Sequence, residues 1–268
     1  MIVVKVGGTV AKDMASSELV KDIKNLISEN KVVLVHGGGD EVTEIASKLG
    51  KEQKFVVSPE GFRSRYTDKE TAEIYTMVIA GKINKQIVTV LQSNGISAVG
   101  LSGLDGSLMR ANRKKKIIIV DESGRKRVID GGYSGKISEV NLHPIQLLVE
   151  NGYVPVIAPV ALSEEYEPLN VDADRAAAYV AGALKADKLV LLTDVEGLII
   201  DNKVVSKLTL SEAEKTLPKI GSGMITKVYA AMEAVNMGVS ESLIAYGLGK
   251  CPVSSALKHE YGTVITRE

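Results

Sequence analysis

The chain has 268 residues, 45% of them hydrophobic, and its 33 basic and 33 acidic side chains cancel, which is the composition of an ordinary globular protein with a substantial core. A single cysteine, Cys251, and three histidines exclude an internal disulfide and a multi-thiolate metal site and speak against a zinc enzyme. Neutral charge speaks against a general nucleic-acid binder; no stretch reaches the roughly 18 apolar residues of a membrane span or has the flanks of a signal peptide, so a cytoplasmic protein is expected.

Residues 2–6, IVVKV, are apolar and β-branched and read as a buried strand, followed by Gly7 and Gly8 and a helix with Leu19, Ile23, Leu26 and Ile27 on one face. The unit repeats as a strand at 32–35, glycines 37–39, and a helix with Val42, Ile45, Ala46 and Leu49 at helical spacing. Two parallel strands then present glycine turns on one sheet edge, where ligands gather in open α/β sheets. Each turn alone is either a plain connection or an anion cradle of uncovered N–H groups at a helix N-terminus. Side by side they favour the cradle.

Residues 55–58 read as a short strand, and GFRSRYTDKET, residues 61–71, as a loop or flap, because charged and hydroxyl side chains are too dense there for a core element. A long helix is expected from Asp68 to about Asn94, capped by Thr67 or Asp68, then a strand at 96–99. KIIIVDESGRKRVID, residues 116–130, carries two β-rich runs around Glu122-Ser123-Gly124, a hairpin signal with strongly basic ends. GGYSGKISEVN, residues 131–141, reads as a glycine-bearing loop before a helix that ends at Asn151-Gly152. The strand at 154–157 contains Pro155, which argues against a central position. An alanine-rich helix starting at Asp172 or Asp174, a buried strand 188–192, helices near 211–215 and 224–237, and strands at 242–246 and 263–266 complete the chain.

Several residues are oddly placed for structure alone. Lys5 lies inside an apolar strand, where an ammonium is costly unless an anion pairs with it or the strand end lets it reach water. Lys227 follows Gly223 in the first turn of a helix, where a cation opposes the dipole unless it is surface decoration or has an anion nearby. Asn170, Asp172 and Asp174 alternate before a helix; they either hold lysines or a metal or, for one aspartate, cap that helix. There is no GxxxxGK(S/T) phosphate loop, no protein-kinase HRD and DFG set, and no Ser-His-Asp signature; His36 is as easily a strand-end packing residue.

Lys5-x-Gly7-Gly8, His36-Gly37-Gly38-Gly39, Arg65-Tyr66-Thr67-Asp68, Asn170-x-x-x-Asp174 and Gly223-Met224-x-x-Lys227, in this order over the whole chain, resemble the amino acid kinase family. Within it the likeness is to N-acetylglutamate kinase and, through residues 64–68 and 131–137, still more to the branch that phosphorylates 2-aminoadipate or glutamate held on a LysW-type amino-group carrier protein. The resemblance implies a three-layer α/β/α sandwich with a mainly parallel sheet, the carbamate kinase-like fold, with a substrate and dimerisation lobe at 1–168 and an ATP lobe at 169–268.

It further implies that Lys5 and Lys227 stabilise the phosphoryl group in flight, that Asp174 holds both lysines, and that Gly8, Gly37 and Gly38 donate N–H bonds to the γ-phosphate, with Gly7 completing the first turn. Arg65 would clamp the acceptor's α-carboxylate with its planar fork, and Asn170 would bind the amide end, alongside Gly37 and Gly38. Thr193 and Asp194 are nucleotide candidates. The cofactors implied are ATP and Mg2+, the ion held through the phosphates with no protein metal site. Asp172 departs from the asparagine usual in acetyl-substrate enzymes, which puts a simple transfer of their acyl contacts in doubt.

A side-chain carboxylate is already ionised at neutral pH, so no catalytic base is required, in keeping with the lack of a histidine signature. The basic hairpin is either a solvated edge guard or, with Arg63 and Lys136, a surface for an acidic carrier. The first strand starts at Ile2, without the helix that builds arginine-sensing hexamers, so a homodimer without arginine feedback is expected. The alternatives are an N-acetylglutamate kinase acting on the free acetylated amino acid and a catalytically idle ligand or nucleotide sensor on this fold.

Overall fold

The β-branched runs of the sequence become the inner strands of one large sheet in the computed structural model, which describes residues 1–14 and 18–268. In chain order come β1 (Ile2–Val6), α1 (Gly8–Lys12), α2 (Glu18–Leu26), β2 (Val32–His36) and α3 (Gly39–Lys48). A hairpin of β3 (Lys54–Val57) and β4 (Arg63–Tyr66) leads into α4 (Lys69–Thr76), a π-helical segment Met77–Ile83, and α5 (Asn84–Ser93). Next are β5 (Ala98–Ser102), β6 (Met109–Arg113), the hairpin β7 (Lys116–Val120) and β8 (Lys126–Asp130), β9 (Gly135–Val140) and α6 (His143–Glu150). β10 (Val154–Ala158), β11 (Val160–Leu162) and β12 (Pro168–Asn170) precede α7 (Ala173–Ala183) and β13 (Lys188–Thr193). The last part holds β14 (Ile199–Ile200), β15 (Lys203–Val204), β16 (Lys207–Thr209), α8 (Leu210–Thr216), α9 (Met224–Asn236), β17 (Glu241–Tyr246), α10 (Pro252–Leu257) and β18 (Thr263–Thr266).

The large sheet has the order β16-β18-β17-β13-β1-β2-β10-β5, parallel except that β18 runs against β17 and β16 follows β18. Alternation along each strand feeds two cores. Val4, Val6 and Leu34 face the layer of α2, α3 and α5, whereas Val3, Val35 and Leu191 face α7 and α9. Each such side chain, once buried, stabilises the fold by about 1.5–3 kcal/mol. The same alternation sends Lys5 to the α7 and α9 face and His36 to the α5 face. Among the described residues no helix is long and apolar enough to cross a membrane.

The structure corrects several local expectations. Residues 63–66 of the expected flap are β4, paired with β3 from Lys54↔Tyr66 to Val57↔Arg63; its charged side chains sit on a two-stranded ribbon rather than in a core. The glycine-bearing stretch 131–141 contains β9, which joins a second, mixed sheet ordered β12-β11-β6-β9. Its glycines serve close packing: a Cβ on Gly132, at φ +60, would lie 2.3 Å from Thr67 O. The strand expected at 96–99 lies two residues later, and the long helix is interrupted by the π-helical segment. Pro155 is accommodated because β10 pairs with β5 from Val154 onward but with β2 only from Val156, so the missing N–H falls before the β2 ladder begins.

α7 and α9 are fastened to each other by Arg175, which donates to both carboxylate oxygens of Glu233 at 2.7 and 2.5 Å, while Ala177, Ala178 and Ala181 let α7 lie close to its neighbours. Because that fork is bidentate and partly buried, Arg175→Lys is expected to lower unfolding stability by about 1–2 kcal/mol. Urea midpoints of the two proteins, read by circular dichroism, check this.

Candidate active site

The carboxyl ends of β13, β1 and β2 lie side by side, in the registers Val6↔Leu192 and Val6↔His36. Gly7 and Gly37 therefore emerge at one edge next to Thr193, and the Gly37 N–H donates to Val6 O at 2.9 Å. The two glycine turns face each other: a Cβ on Gly8 would lie 3.3 Å from Gly38 Cα and 3.4 Å from Gly38 N. A side chain would crowd that approach, and the bare backbone leaves N–H groups open to an incoming ligand. Helices α1 and α3 both begin at this edge.

Beneath the turns, Lys5 Nζ is 2.7 Å from Asp174 Oδ1, and Lys227 Nζ donates to Asp174 Oδ2 at 2.9 Å. Three segments distant in sequence supply this cluster: a central strand, the first turn of α7 and the first turn of α9. Lys5 and Asp174 are almost fully buried. Burial and the two ammoniums act on Asp174 in opposite senses, and the ammoniums win, holding its carboxyl down at about 2. Burial lowers Lys5 despite Asp174, with repulsion from Lys227 adding to the effect. Lys227 is less enclosed; burial also works against its charge, but Asp174 outweighs it and keeps the ammonium above its usual range. One carboxylate thus neutralises two cations only in part, and the cluster retains an unmatched positive charge.

Two hollows meet at this cluster. One of about 360 Å³ is lined by Gly37, Gly38, Arg65, Asn170, Asp172 and Asp174. The other, of about 550 Å³, is lined by Gly7, Thr193, Asp194, Ser222 and Lys227. Lys5 and Gly8 line both. The two volumes thus share Lys5 and one of the glycine turns, an arrangement suited to a group transfer between two bound molecules.

Arg65 is buried at the first hollow, and acceptors from two segments hold its guanidinium: Gly39 O at 2.7 Å and Thr43 Oγ1 at 2.9 Å from α3, and Gln53 Oε1 from the stretch before β3. Phe55 lies under both Arg65 and Arg63, at 4.9 and 4.0 Å from the ring centroid. Asn170 donates to Thr67 Oγ1 at 2.9 Å. Asp172 is the N-cap of α7, accepting from Arg175 N at 2.9 Å; desolvation and the neighbouring Asp174 charge push its carboxyl up. Thr193 donates to Asp194 at 3.1 Å in the second hollow. Arg63 lines the mouth of the first, while Lys136 stands outside the lining beside Gly135.

Sequence reasoning missed the supports Thr43, Gln53 and Phe55, and the cleft residues Lys114 and Arg175. Only Lys114 carried a signal, as a member of the basic run before the hairpin. Among the described residues no group of three or more His, Cys, Asp and Glu could hold a metal ion.

A family model described as the amino acid kinase family matches residues 1–246. The chain is 47% identical over 266 residues to the LysW-aminoadipate/LysW-glutamate kinase of Saccharolobus solfataricus, covering 99% of each. It is 56% identical over 268 residues, covering 100% of each, to a protein of Nitrosopumilus maritimus named for the same activity. Among solved structures, that of smu.665 from Streptococcus mutans superposes with a TM-score of 0.81 at 27% identity, covering 100% of this chain and 98% of that one.

The Asp174 cluster makes stability depend on pH. Its carboxyl is held at about 2, below its ordinary 3.8, so its contribution is complete above the unfolded value and is lost as pH falls through the folded one. The stability difference between wild type and Asp174→Asn is expected to shrink between pH 4 and pH 2, read from urea midpoints. At neutral pH, Asp174→Asn should cost about 3–5 kcal/mol, because it strands a buried lysine.

Proposed function

The chain belongs to the amino acid kinase family, and on that premise we propose that it transfers the γ-phosphoryl group of ATP to the side-chain carboxylate of 2-aminoadipate, glutamate, or both, while a LysW-type carrier protein holds their amino group. The product is an acyl phosphate, the activated form needed for later reduction in lysine or arginine biosynthesis. The observation that carries this reading is the Lys5–Asp174–Lys227 cluster at the junction of two hollows. Relatives of 47% and 56% identity over the full length, named for this activity, support the choice of acceptor.

The acceptor carboxylate is ionised at neutral pH, with a pKa of about 4, and needs no base. One of its oxygens attacks the γ-phosphorus, the bond from that phosphorus to the β–γ bridging oxygen breaks, and ADP leaves with the electron pair. Charge grows on the bridging and equatorial oxygens as this happens. Lys5 and Lys227 face it with the positive charge that Asp174 leaves unmatched, and the N–H groups of Gly8 and Gly38 complete the cradle, whereas the Gly37 N–H, expected from the sequence to join them, is already engaged by Val6 O. Asp174 orients both lysines and touches no substrate. Magnesium, for which the described residues offer no acidic cluster, would arrive on the ATP phosphates and neutralise part of their charge.

On this reading the first hollow is the acceptor site. Arg65, fixed by Gly39, Thr43 and Gln53, turns its remaining donors to the α-carboxylate, and Asn170 takes the amide end. The second hollow takes the nucleotide, with Thr193 and Asp194 beside the phosphates. Residues 1–168 form the substrate and dimerisation lobe and 169–268 the ATP lobe of a cytoplasmic homodimer, whose size in solution is the direct check. Arg63, the β7–β8 hairpin and Lys136 flank the acceptor mouth and suit an acidic carrier.

The decisive experiment offers ATP with carrier-bound aminoadipate, carrier-bound glutamate and free N-acetylglutamate in parallel. Turnover of either carrier-bound substrate is expected; turnover of the free acetylated amino acid alone would remove the carrier, and turnover of none would remove the kinase. Lys227→Ala should lower kcat by about 10²–10³-fold while changing ATP affinity little, measured by steady-state kinetics and calorimetry. The KM for carrier-bound substrate should rise with ionic strength, and a KM independent of salt between low and high concentrations rules out the electrostatic docking surface.

A further inference from the structure

His36 is fully buried at the end of β2, immediately before the glycine turn, and the mechanism above gives it nothing to do. Burial depresses its imidazolium to about 4, so the ring is neutral wherever the enzyme works and cannot serve as a proton donor of the usual kind. Its two nitrogens are nevertheless both engaged. Nδ1 is 3.0 Å from Gly37 O, and Nε2 is 3.1 Å from Nδ2 of Asn84, the first residue of α5. Asn84 follows the π-helical segment, a distortion that recurs at functional sites.

The surroundings of Asn84 decide which nitrogen of His36 carries the proton. Its Nδ2 donates to Val156 O at 2.9 Å and, more distantly, to Leu101 O at 3.4 Å, while its Oδ1 accepts from Lys85 Nζ at 3.1 Å. The amide is therefore oriented from both ends, and it presents N–H to His36 Nε2. That nitrogen must accept, so the ring proton sits on Nδ1 and donates to Gly37 O.

Gly37 is thereby held at both ends, its N–H on Val6 O at 2.9 Å and its carbonyl on His36. In a trans peptide the C=O and the following N–H point in opposite directions. A Gly37 carbonyl drawn inward to the ring turns the Gly38 N–H outward, into the space that Gly8 leaves open. We propose that His36, fixed as its Nδ1–H tautomer by Asn84, is a positioning residue that aims the Gly38 N–H at the phosphoryl group in transfer. Gly38 suits the task because its φ of +143 and its packing against Ile83 admit no side chain: a Cβ would fall 2.2 Å from Ile83 Cδ1.

The inference rests on the kinase reading, but its first test does not. In 15N-histidine spectra of the wild-type protein, where only three histidines resonate, His36 is expected to show a protonated Nδ1 and an unprotonated Nε2. The opposite tautomer overturns the proposal whatever the enzyme phosphorylates. The second test compares His36→Leu, which removes the donor, with His36→Gln, whose amide can still donate. His36→Leu is expected to lower kcat about 10- to 100-fold and to weaken binding of ADP with aluminium fluoride, a mimic of the transferring phosphoryl group, while ADP alone binds as before. His36→Gln should recover part of both losses. Equal weakening of both ligands, or no recovery by glutamine, would mark His36 as a packing residue only; if His36→Leu fails to fold, the tautomer measurement decides alone.

Discussion

One carboxylate shared by two lysines is the constraint on which the rest of the molecule depends. Taking an ammonium out of water costs several kcal/mol, and Lys5 is almost completely withdrawn from it. The fold can hold Lys5 only if α7 delivers Asp174 to within 2.7 Å, and α7 can come that close because its buried face is mostly alanine and glycine. Lys227 reaches the same carboxylate from α9, fastened to α7 by the Arg175–Glu233 fork. Strand, helix contact and ion pair are one arrangement.

That arrangement is stable yet electrically unfinished. Asp174 is strongly ionised, Lys5 is depressed by burial and Lys227 is elevated, and this asymmetry fits a site that waits for an anion. An anion entering beside Lys5 and Lys227 would meet the charge that Asp174 leaves unmatched, most strongly where water is excluded. Arg65 shows the same pattern in the first hollow. Gly39, Thr43 and Gln53 occupy only some of its donors, so its plane is set before a carboxylate arrives.

Much of this was legible in the sequence, for definable reasons. Lys5 stood out because a cation interrupts a run whose period and composition demand burial. The glycine turns stood out because each follows such a run directly. The central strands were visible because their apolar stretches are long and continuous, which is how strands covered on both faces read. What stayed hidden depends on partners distant in sequence. β4 and β9 are charged or glycine-rich, and they become strands only because β3 and β6 lie beside them. Pro155 misled because its missing N–H matters only if the ladder to β2 has already begun. Gln53 and Thr43 have no local pattern at all; only the buried fork of Arg65 selects them.

Asp172 carries a charge that its local role in the fold does not require. Its visible task, capping α7 through Arg175 N, could be done as well by asparagine, so the cap does not account for a charge at this position. The charge bears on the first hollow, which Asp172 lines together with Arg65, Lys114 and Arg175. Desolvation and Asp174 push the Asp172 carboxyl up, and desolvation and Arg175 push the Lys114 ammonium down. Each group is thus held away from its ordinary state by its surroundings, and the Asp172 charge offsets part of the depression of Lys114. An asparagine here would leave the cations of the hollow facing one another with less to offset them. Asp172 therefore contributes to the charge balance of the hollow that Arg65, Lys114 and Arg175 line.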